Sequence, residues 1–375
     1  MGKFTLMHKD VPVVDLDFDL LRGRILTLGK VHGPSHLPTG STIGNVPDFD
    51  HMCEWWNERC IPVTRIGLQN LLDCLDVPSI ANLVIDSLGL SLSDHYWICP
   101  KDAQIQYSEI DLFQNEYSTH IGNVLFGCDM PETICTYSPD ITTDGNLMKR
   151  WKNINGKHCL LKAGTGMNSQ EPFNEMIASI LMDSLSIDHV DYSISKEAGR
   201  IVCCCEDFVD LDKELIPAKR LIDIKTPDAY HQYITSCDKL GIDIVPALDR
   251  MIAIDYIIGN EDRHLGNFGL IRNPDTLEYI SAAPIFDCGS SLGYNRMNYD
   301  LGPDMVVPCK PFSGDHEKQR ELITDLSWLK SEALSEGIEK VEQFLAENEM
   351  YISTERADAL LSFIRKRSDT LLAHH

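Results

Sequence analysis

Gly259-Asn260-Glu261-Asp262-Arg263-His264-Leu265-Gly266-Asn267-Phe268, followed downstream by Pro284-Ile285-Phe286-Asp287-Cys288-Gly289, is the stretch on which the fold turns. It interrupts an apolar helical pattern, Val245 to Ile258, with a dense run of polar and titratable groups. Phosphoryl transfer needs a carboxylate oriented on the attacking hydroxyl, an amide oxygen and a second carboxylate on Mg²⁺, and a cation on the phosphates. Asp262 and Asn267 have the D-x-x-x-x-N separation, one on each side of a turn, and Asp287 ends a neighbouring strand pattern from which it can reach the same metal. Mg²⁺ takes hard oxygen ligands and keeps waters, so one carboxylate, one amide oxygen and the nucleotide phosphates suffice. His264 either assists near the transferred phosphate or braces the loop.

Upstream, Leu147–Asn153 alternates apolar and polar residues, Asn155-Gly156 supplies a type I′ turn, and Lys157–Ala163 resumes as a strand. A helix with Pro172 in its first turn follows over Glu171–Leu185. Two more strands start at Val190 and Arg200, around a turn at Lys196–Gly199, giving the order β-β-α-β-β. Lys162 ends the hairpin and is the candidate phosphate-binding lysine, with Glu175 on the helix, or alternatively Glu171, as the carboxylate that holds it. Ala163-Gly164-Thr165-Gly166 is too short for a dinucleotide fingerprint and reads as a turn. The link from Cys205 through Glu206, Phe208 and Val209 is the candidate hinge, with backbone groups for an adenine edge and Phe208 or Val209 as apolar walls.

Downstream, the patterns at 227–240, 245–259, 321–334 and 355–368 are helical. The interruption holds a strand at Phe268–Asn273, a turn at Asn273-Pro274-Asp275 and a strand at Glu278–Asp287. The amino-terminal zone contains strand patterns at Val11–Phe18 and Arg24–Gly29, a Gly/Pro-rich stretch at Gly33–Gly44, and helical patterns at His51–Cys60, Ile66–Leu75 and Ser79–Leu90. Trp55 and Trp56 there are expected to pack in a core. Three zones result: 1–130, an accessory domain; 131–210, a β-rich lobe; and 211–375, a helical lobe.

The 375 residues carry 33 Lys+Arg against 57 Asp+Glu, a formal charge of −24, which argues against direct binding of nucleic acid. Thirteen cysteines without a C-x-x-C pair, and an amino terminus without an apolar signal core, lead us to expect reduced thiols and a cytoplasmic location. The apolar runs are too short for a bilayer, so no membrane association is expected.

The segments SPDITTDGNLMKRWKNINGKHCLLKAG, the helical Asn174-Glu175, GNEDRHLGNFGLI and PIFDCGSSLGY together resemble the HipA-like kinase family over roughly residues 135 to 370. The resemblance implies an α+β, two-lobed protein-kinase-like fold with ATP·Mg²⁺ between the lobes, after an amino-terminal accessory domain. It implies ATP-dependent phosphorylation of Ser or Thr hydroxyls on a protein substrate. Asp262 is then the catalytic base, Asn267 and Asp287 the magnesium ligands, and Lys162 the cation on the phosphates. In such kinases the loop before the hairpin covers the nucleotide and can itself be phosphorylated, which makes Ser138, Thr142 and Thr143 candidate autophosphorylation sites. The first 130 residues do not resemble the usual amino-terminal region of HipA toxins; a regulatory protein partner of unspecified identity is expected there. Asp262-Arg263-His264 with Asn267 also resembles the D-R-H-x-x-N loop of phosphoinositide kinases. A lipid or small-molecule kinase and a nucleotide-binding pseudokinase therefore stay open as alternatives.

Overall fold

Strands β1 (Gly2–His8), β2 (Val11–Asp19) and β3 (Arg24–Val31) form an antiparallel meander whose alternate residues face inward, burying Leu6, Val14, Leu16 and Phe18. A two-residue ribbon, β4 (Thr42–Ile43) and β5 (Val46–Pro47), precedes three helices: α1 (Phe49–Asn57), α2 (Leu68–Leu75) and α3 (Ile80–Asp86). Strand β6 (Tyr96–Pro100) then pairs antiparallel with β1, completing a four-stranded sheet of order β3-β2-β1-β6. The computed structural model that gives this arrangement describes residues 1–373 except 45, 76, 78, 129–134, 136, 167 and 223–227. The boundary read at residue 130 lies outside the described residues.

Helix α1 starts where the Asp48 side chain accepts from the His51 N–H. Its tryptophans pack as expected: Trp56 is buried against Phe18 and donates from Nε1 to the Gly23 carbonyl at 3.0 Å, while the Arg59 guanidinium lies 4.9 Å from the Trp55 ring centroid. Strands β1 and β6, which the pattern reading passed over, are short runs without strong turn signals beside them.

After α4 (His120–Leu125) comes the hairpin of β7 (Lys149–Ile154) and β8 (Lys157–Ala163), in register from Lys149↔Lys162 to Ile154↔Lys157. Asn155 and Gly156 take φ of 55° and 83°, the left-handed pair that a type I′ turn demands. Trp151 of β7 joins a cluster with Trp97, Tyr107 and Leu112. The hairpin therefore groups with the amino-terminal sheet. The chain forms two compact units: Met1–Lys162 with Asp207–Ile216 and Ile271–Ile280, and Ala163–Glu206 with Pro217–Leu270 and Ser281–His375.

The second unit begins with α5 (Glu171–Ser184), then the antiparallel pair β9 (Tyr192–Glu197) and β10 (Arg200–Glu206), turned through Ala198 and Gly199 with φ of 47° and 74°. Strand β11 (Glu214–Pro217), of which Glu214–Ile216 belong to the first unit, comes next in the chain, and the second unit resumes with α6 (Ala229–Lys239) and α7 (Val245–Ile258), which is buried almost all round. Strands β12 (Gly269–Arg272) and β13 (Tyr279–Ala282), whose segment Ile271–Ile280 belongs to the first unit, form a hairpin whose turn is set by Asn273, its Oδ1 accepting from Asp275 and Thr276 N–H at 2.9 Å each. Helices α8 (His316–Arg320), α9 (Ser331–Glu347) and α10 (Thr354–Leu372) complete the unit. Helix α9 packs on α5, where Gly337 admits Ser184: a Cβ at 337 would lie 3.1 Å from that of Ser184.

Two elements differ from the sequence expectation. Residues 321–330 are not helical, because Asp249 takes the backbone N–H groups of Thr324 and Asp325 and the Thr324 hydroxyl, and Asp325 takes the Ser327 N–H. The strand read from Glu278 to Asp287 stops at Ala282; Pro284 follows, and Asp287 sits at φ 60°.

In the first unit, buried Glu214 accepts from Arg272 Nε at 2.7 Å and meets His8 Nε2 at 3.2 Å, while Arg272 also donates to Tyr96 and Thr39. Burial alone would raise the Glu214 carboxyl, but the His8 hydrogen bond and the Arg272 charge together pull it down from 4.5 to about 2. Its contribution is therefore complete above pH 4.5 and disappears as pH falls toward 2. Glu214→Gln should cost about 3–5 kcal/mol near neutral pH, by leaving Arg272 without its buried partner. In urea denaturation the gap to wild type should shrink as the pH is lowered from 4.5; a gap independent of pH would remove Glu214 from this role.

Candidate active site

Helix α7 stops at Gly259, which takes the left-handed C-cap conformation, φ 59°, with no room for a side chain: a Cβ would lie 2.9 Å from the Phe363 ring. Buried Asn260 then folds back on the helix, its Nδ2 donating to Asp255 Oδ1 at 2.9 Å and its Oδ1 accepting from the Asp262 N–H at 3.0 Å.

Arg263 organises everything that follows. Its guanidinium is fully buried and grips Asp255 through two bonds, Nε to Oδ2 at 2.9 Å and Nη2 to Oδ1 at 3.0 Å. Nη1 donates to the Asn267 carbonyl at 3.0 Å and to the Phe286 carbonyl, and Nη2 lies 3.1 Å from the Cys288 Sγ. Burial disfavours this charge, but the Asp255 carboxylate outweighs it and holds the guanidinium above its ordinary value. The Cys288 thiol is pushed up to about 12 by burial, against the pull of Arg263, and stays protonated. Arg263 thus reads as a brace, and lends no donor to a phosphate, since every one is spent inside the protein.

Two polypeptide loops are fastened by this one side chain. In the first, the Asn267 side-chain N–H donates to the Asp262 carbonyl at 3.1 Å, which engages the amide nitrogen and leaves the amide oxygen as the group able to serve a cation. His264 accepts the Gly266 N–H on Nδ1 at 3.1 Å, so its imidazole braces the loop and keeps Nε2 available. Asp262 is half exposed, and its Oδ1 accepts from Lys310 Nζ at 2.8 Å. In the second loop, Asp287 donates its N–H to the Tyr192 hydroxyl at 3.3 Å, and the next N–H, of Cys288, goes to Glu175 Oε2 at 2.8 Å. Glu175 is buried on α5, so α5 grips the loop that carries Asp287. The loops are also stitched by backbone, Glu261 N–H to Ser290 O at 2.8 Å and Leu292 N–H to Ile258 O at 2.9 Å. A carboxylate and an amide oxygen from adjoining loops are the hard donor set that Mg²⁺ accepts.

The remaining candidates fall as follows. Lys162 is buried near the end of β8. Glu171 binds the Thr165 N–H with both oxygens, at 3.0 and 3.1 Å, and also its hydroxyl, which ties down the turn after the hairpin. Gly164 is needed there, since a Cβ would lie 2.6 Å from the Ser169 backbone. Glu206 is exposed at the end of β10, Phe208 is half-buried and Val209 buried. Ser138 and Thr142 are buried in a 3₁₀ turn, with the Thr142 hydroxyl donating to Leu90 O at 2.8 Å. Thr143 is half-buried, its hydroxyl accepting from Trp151 Nε1 at 2.9 Å. A cavity of about 210 Å³ in the second unit is lined by Thr165, Gly166, Asn168, Tyr294, Asn295 and Met297.

Sequence reasoning missed Asp255 and Lys310. Asp255 left a trace, a lone carboxylate inside the apolar run Met251–Ile258. Lys310 left none, being far from the loop in the chain.

No family model matches this sequence. The chain nevertheless has an α+β fold of the protein-kinase-like kind. A chain of the solved Shewanella oneidensis MR-1 toxin–antitoxin complex of HipA, HipB and its operator DNA aligns with 99% of this chain and 97% of its own, at 14% identity and TM-score 0.54. That likeness runs through the first 130 residues, where the sequence alone offered none. The serine/threonine-protein kinase CtkA of Helicobacter pylori (strain J99) is 29% identical over 135 residues, 32% of this chain and 40% of CtkA. The solved structure of the H. pylori proinflammatory kinase CtkA aligns with 59% of this chain and 90% of its own, at 18% identity and TM-score 0.43. Sequence similarity to CtkA and the shared fold support the HipA-like kinase family for this chain.

The brace makes a stability prediction. Arg263→Met should cost about 3–5 kcal/mol by stranding the Asp255 carboxylate in the interior, whereas Lys310→Met, at an exposed pair, should change stability by less than about 0.5 kcal/mol. Chemical denaturation of both variants measures this, and equal stabilities would dismiss the brace.

Proposed function

We propose that this chain is an ATP- and Mg²⁺-dependent kinase that phosphorylates Ser or Thr hydroxyls on a protein substrate. The observation that supports it most is the presentation of Asp262, Asn267 and Asp287 on two loops bolted to a single buried arginine. Asp262 accepts the proton of the attacking hydroxyl as its oxygen bonds to the γ-phosphorus and the bond to ADP breaks. The Asn267 amide oxygen and the Asp287 carboxylate are the groups for Mg²⁺, which when bound neutralises charge on the phosphates. Lys310 holds one oxygen of Asp262 and so aims the other. Lys162 is assigned to the phosphates, Glu175 to the support of the site, and the segment from Glu206 through Phe208 and Val209 to the adenine.

Of the three autophosphorylation candidates we favour Thr143, because the hydroxyls of Ser138 and Thr142 are buried. The regulatory partner assigned to the amino-terminal zone, and a cytoplasmic setting, belong to the same proposal. No helix among the described residues is long and apolar enough to cross a membrane.

Asp262→Asn should retain Mg²⁺-dependent ATP binding within about twofold while losing phosphate incorporation by at least about 100-fold. Asp287→Ala should lose Mg²⁺-dependent nucleotide binding itself. Radiolabelled ATP with purified chain, followed by phosphosite mapping, reads both. Incorporation surviving in Asp262→Asn overturns the base assignment. ATP binding without transfer in the wild type favours a pseudokinase, and transfer only to an added lipid or metabolite replaces the protein acceptor.

A further inference from the structure

A second group of metal-ligating side chains lies in the second unit, outside the loops described above. Asp183 at the end of α5, His189 in the following segment and Asp191 just before β9 bring one ligand atom each to within 4.8 Å of one another. The imidazole is 5% exposed, whereas the two carboxylates are 64% and 90% exposed, at 3.8 and 3.7 Å from Nε2. His189 Nδ1 faces the Ile187 carbonyl at 2.8 Å. A carbonyl can only accept, so Nδ1 carries the hydrogen and the neutral ring presents its lone pair on Nε2, between the aspartates. The Ser179 hydroxyl, 2.9 Å away, donates to that lone pair and rotates aside when a cation takes it.

An imidazole anchored through its far N–H on a carbonyl, with its near nitrogen turned toward carboxylates, is the arrangement that supports a metal-bound histidine. Bonds of 2.0–2.2 Å around a tetrahedral cation put neighbouring ligand atoms about 3.4 Å apart, so side-chain rotation of the exposed aspartates closes the set. We propose that Asp183, His189 and Asp191 bind one divalent first-row transition-metal cation, and that its occupancy stiffens the loop bearing Asp287. One nitrogen with two carboxylate oxygens suits Ni²⁺, Co²⁺ or Zn²⁺ better than Mg²⁺ or Ca²⁺, which take oxygen alone.

The coupling runs through hydrogen bonds of the same segment. Ile285 N–H donates to Asp188 O at 3.1 Å, Val190 N–H donates to Ile285 O at 2.9 Å, and the Tyr192 hydroxyl accepts from the Asp287 N–H at 3.3 Å. A cation that ties Asp183 on α5 to His189 and Asp191 thus fixes both ends of the stretch on which the Asp287 loop rests. The metal site does not depend on the phosphotransfer proposal.

Calorimetric titration of the full chain with NiCl₂, without nucleotide, tests it. The wild type should bind one more equivalent of Ni²⁺ than either Asp183→Asn/Asp191→Asn or His189→Gln, thiol sites being common to all three. Equal stoichiometry overturns the site. Should His189→Gln fail to fold, the double variant, altered only at exposed side chains, carries the comparison. Hydrogen exchange of the Val190 and Asp287 amides should slow by about threefold or more when Ni²⁺ is added to wild type and stay unchanged in the double variant. Unaltered exchange in metal-loaded wild type overturns the coupling.

Discussion

The contact between Arg263 and Asp255 carries a cost that only its surroundings can offset. Two ions are withdrawn from water into the interior, a transfer worth several kcal/mol per ion, and the pairing repays it only when every remaining donor is satisfied. Here each is: the guanidinium divides its N–H groups among a helix carboxylate, a carbonyl of one loop, and a carbonyl and a thiol of the other. If either loop moves away, a buried donor is left bare, which is far more expensive than an exposed bond broken. The position of Asp262 relative to its own loop and of Asp287 relative to its own is thereby set by a penalty for leaving, not by many weak attractions.

The first unit uses the same physics with a different arginine. Glu214 and Arg272 lie on returns of the chain far from the amino-terminal sheet, yet both close on His8 and Tyr96 of that sheet. His8 stacks on Tyr96 with ring centroids 4.2 Å apart, so the charged cluster sits in an aromatic wall that excludes water. In each unit a buried guanidinium thus gathers separate segments of chain, and apolar packing fills the space around it.

Local signals were legible wherever the chemistry of a few neighbouring residues decides the backbone. Asn155-Gly156 announced its turn, Pro172 its helix start, and the spacing of Asp262 and Asn267 their shared loop. What stayed hidden depends on partners far along the chain. Residues 321–330 have helical periodicity, and only the arrival of Asp249 from α7 diverts their N–H groups. The lone carboxylate of Asp255 stands out in its apolar run, but only the folded α7 turns it onto the Arg263 guanidinium. Ser138 and Thr142 looked accessible in a polar loop, and it is the 3₁₀ turn and the Leu90 carbonyl that enclose them.

The assembly of the first unit from three stretches of chain bears on its synthesis. His8 must wait for Glu214, 206 residues later, before its buried nitrogen finds a partner. At 5–20 residues per second that delay is roughly 10–40 s, during which the amino-terminal sheet exists on the ribosome with its polar centre unsealed. A nascent chain halted before residue 214 would hold the sheet's apolar residues but neither the acid nor the arginine that close it. Such a chain is the species a chaperone would meet, and a gene fragment encoding only the first 162 residues would reproduce it permanently.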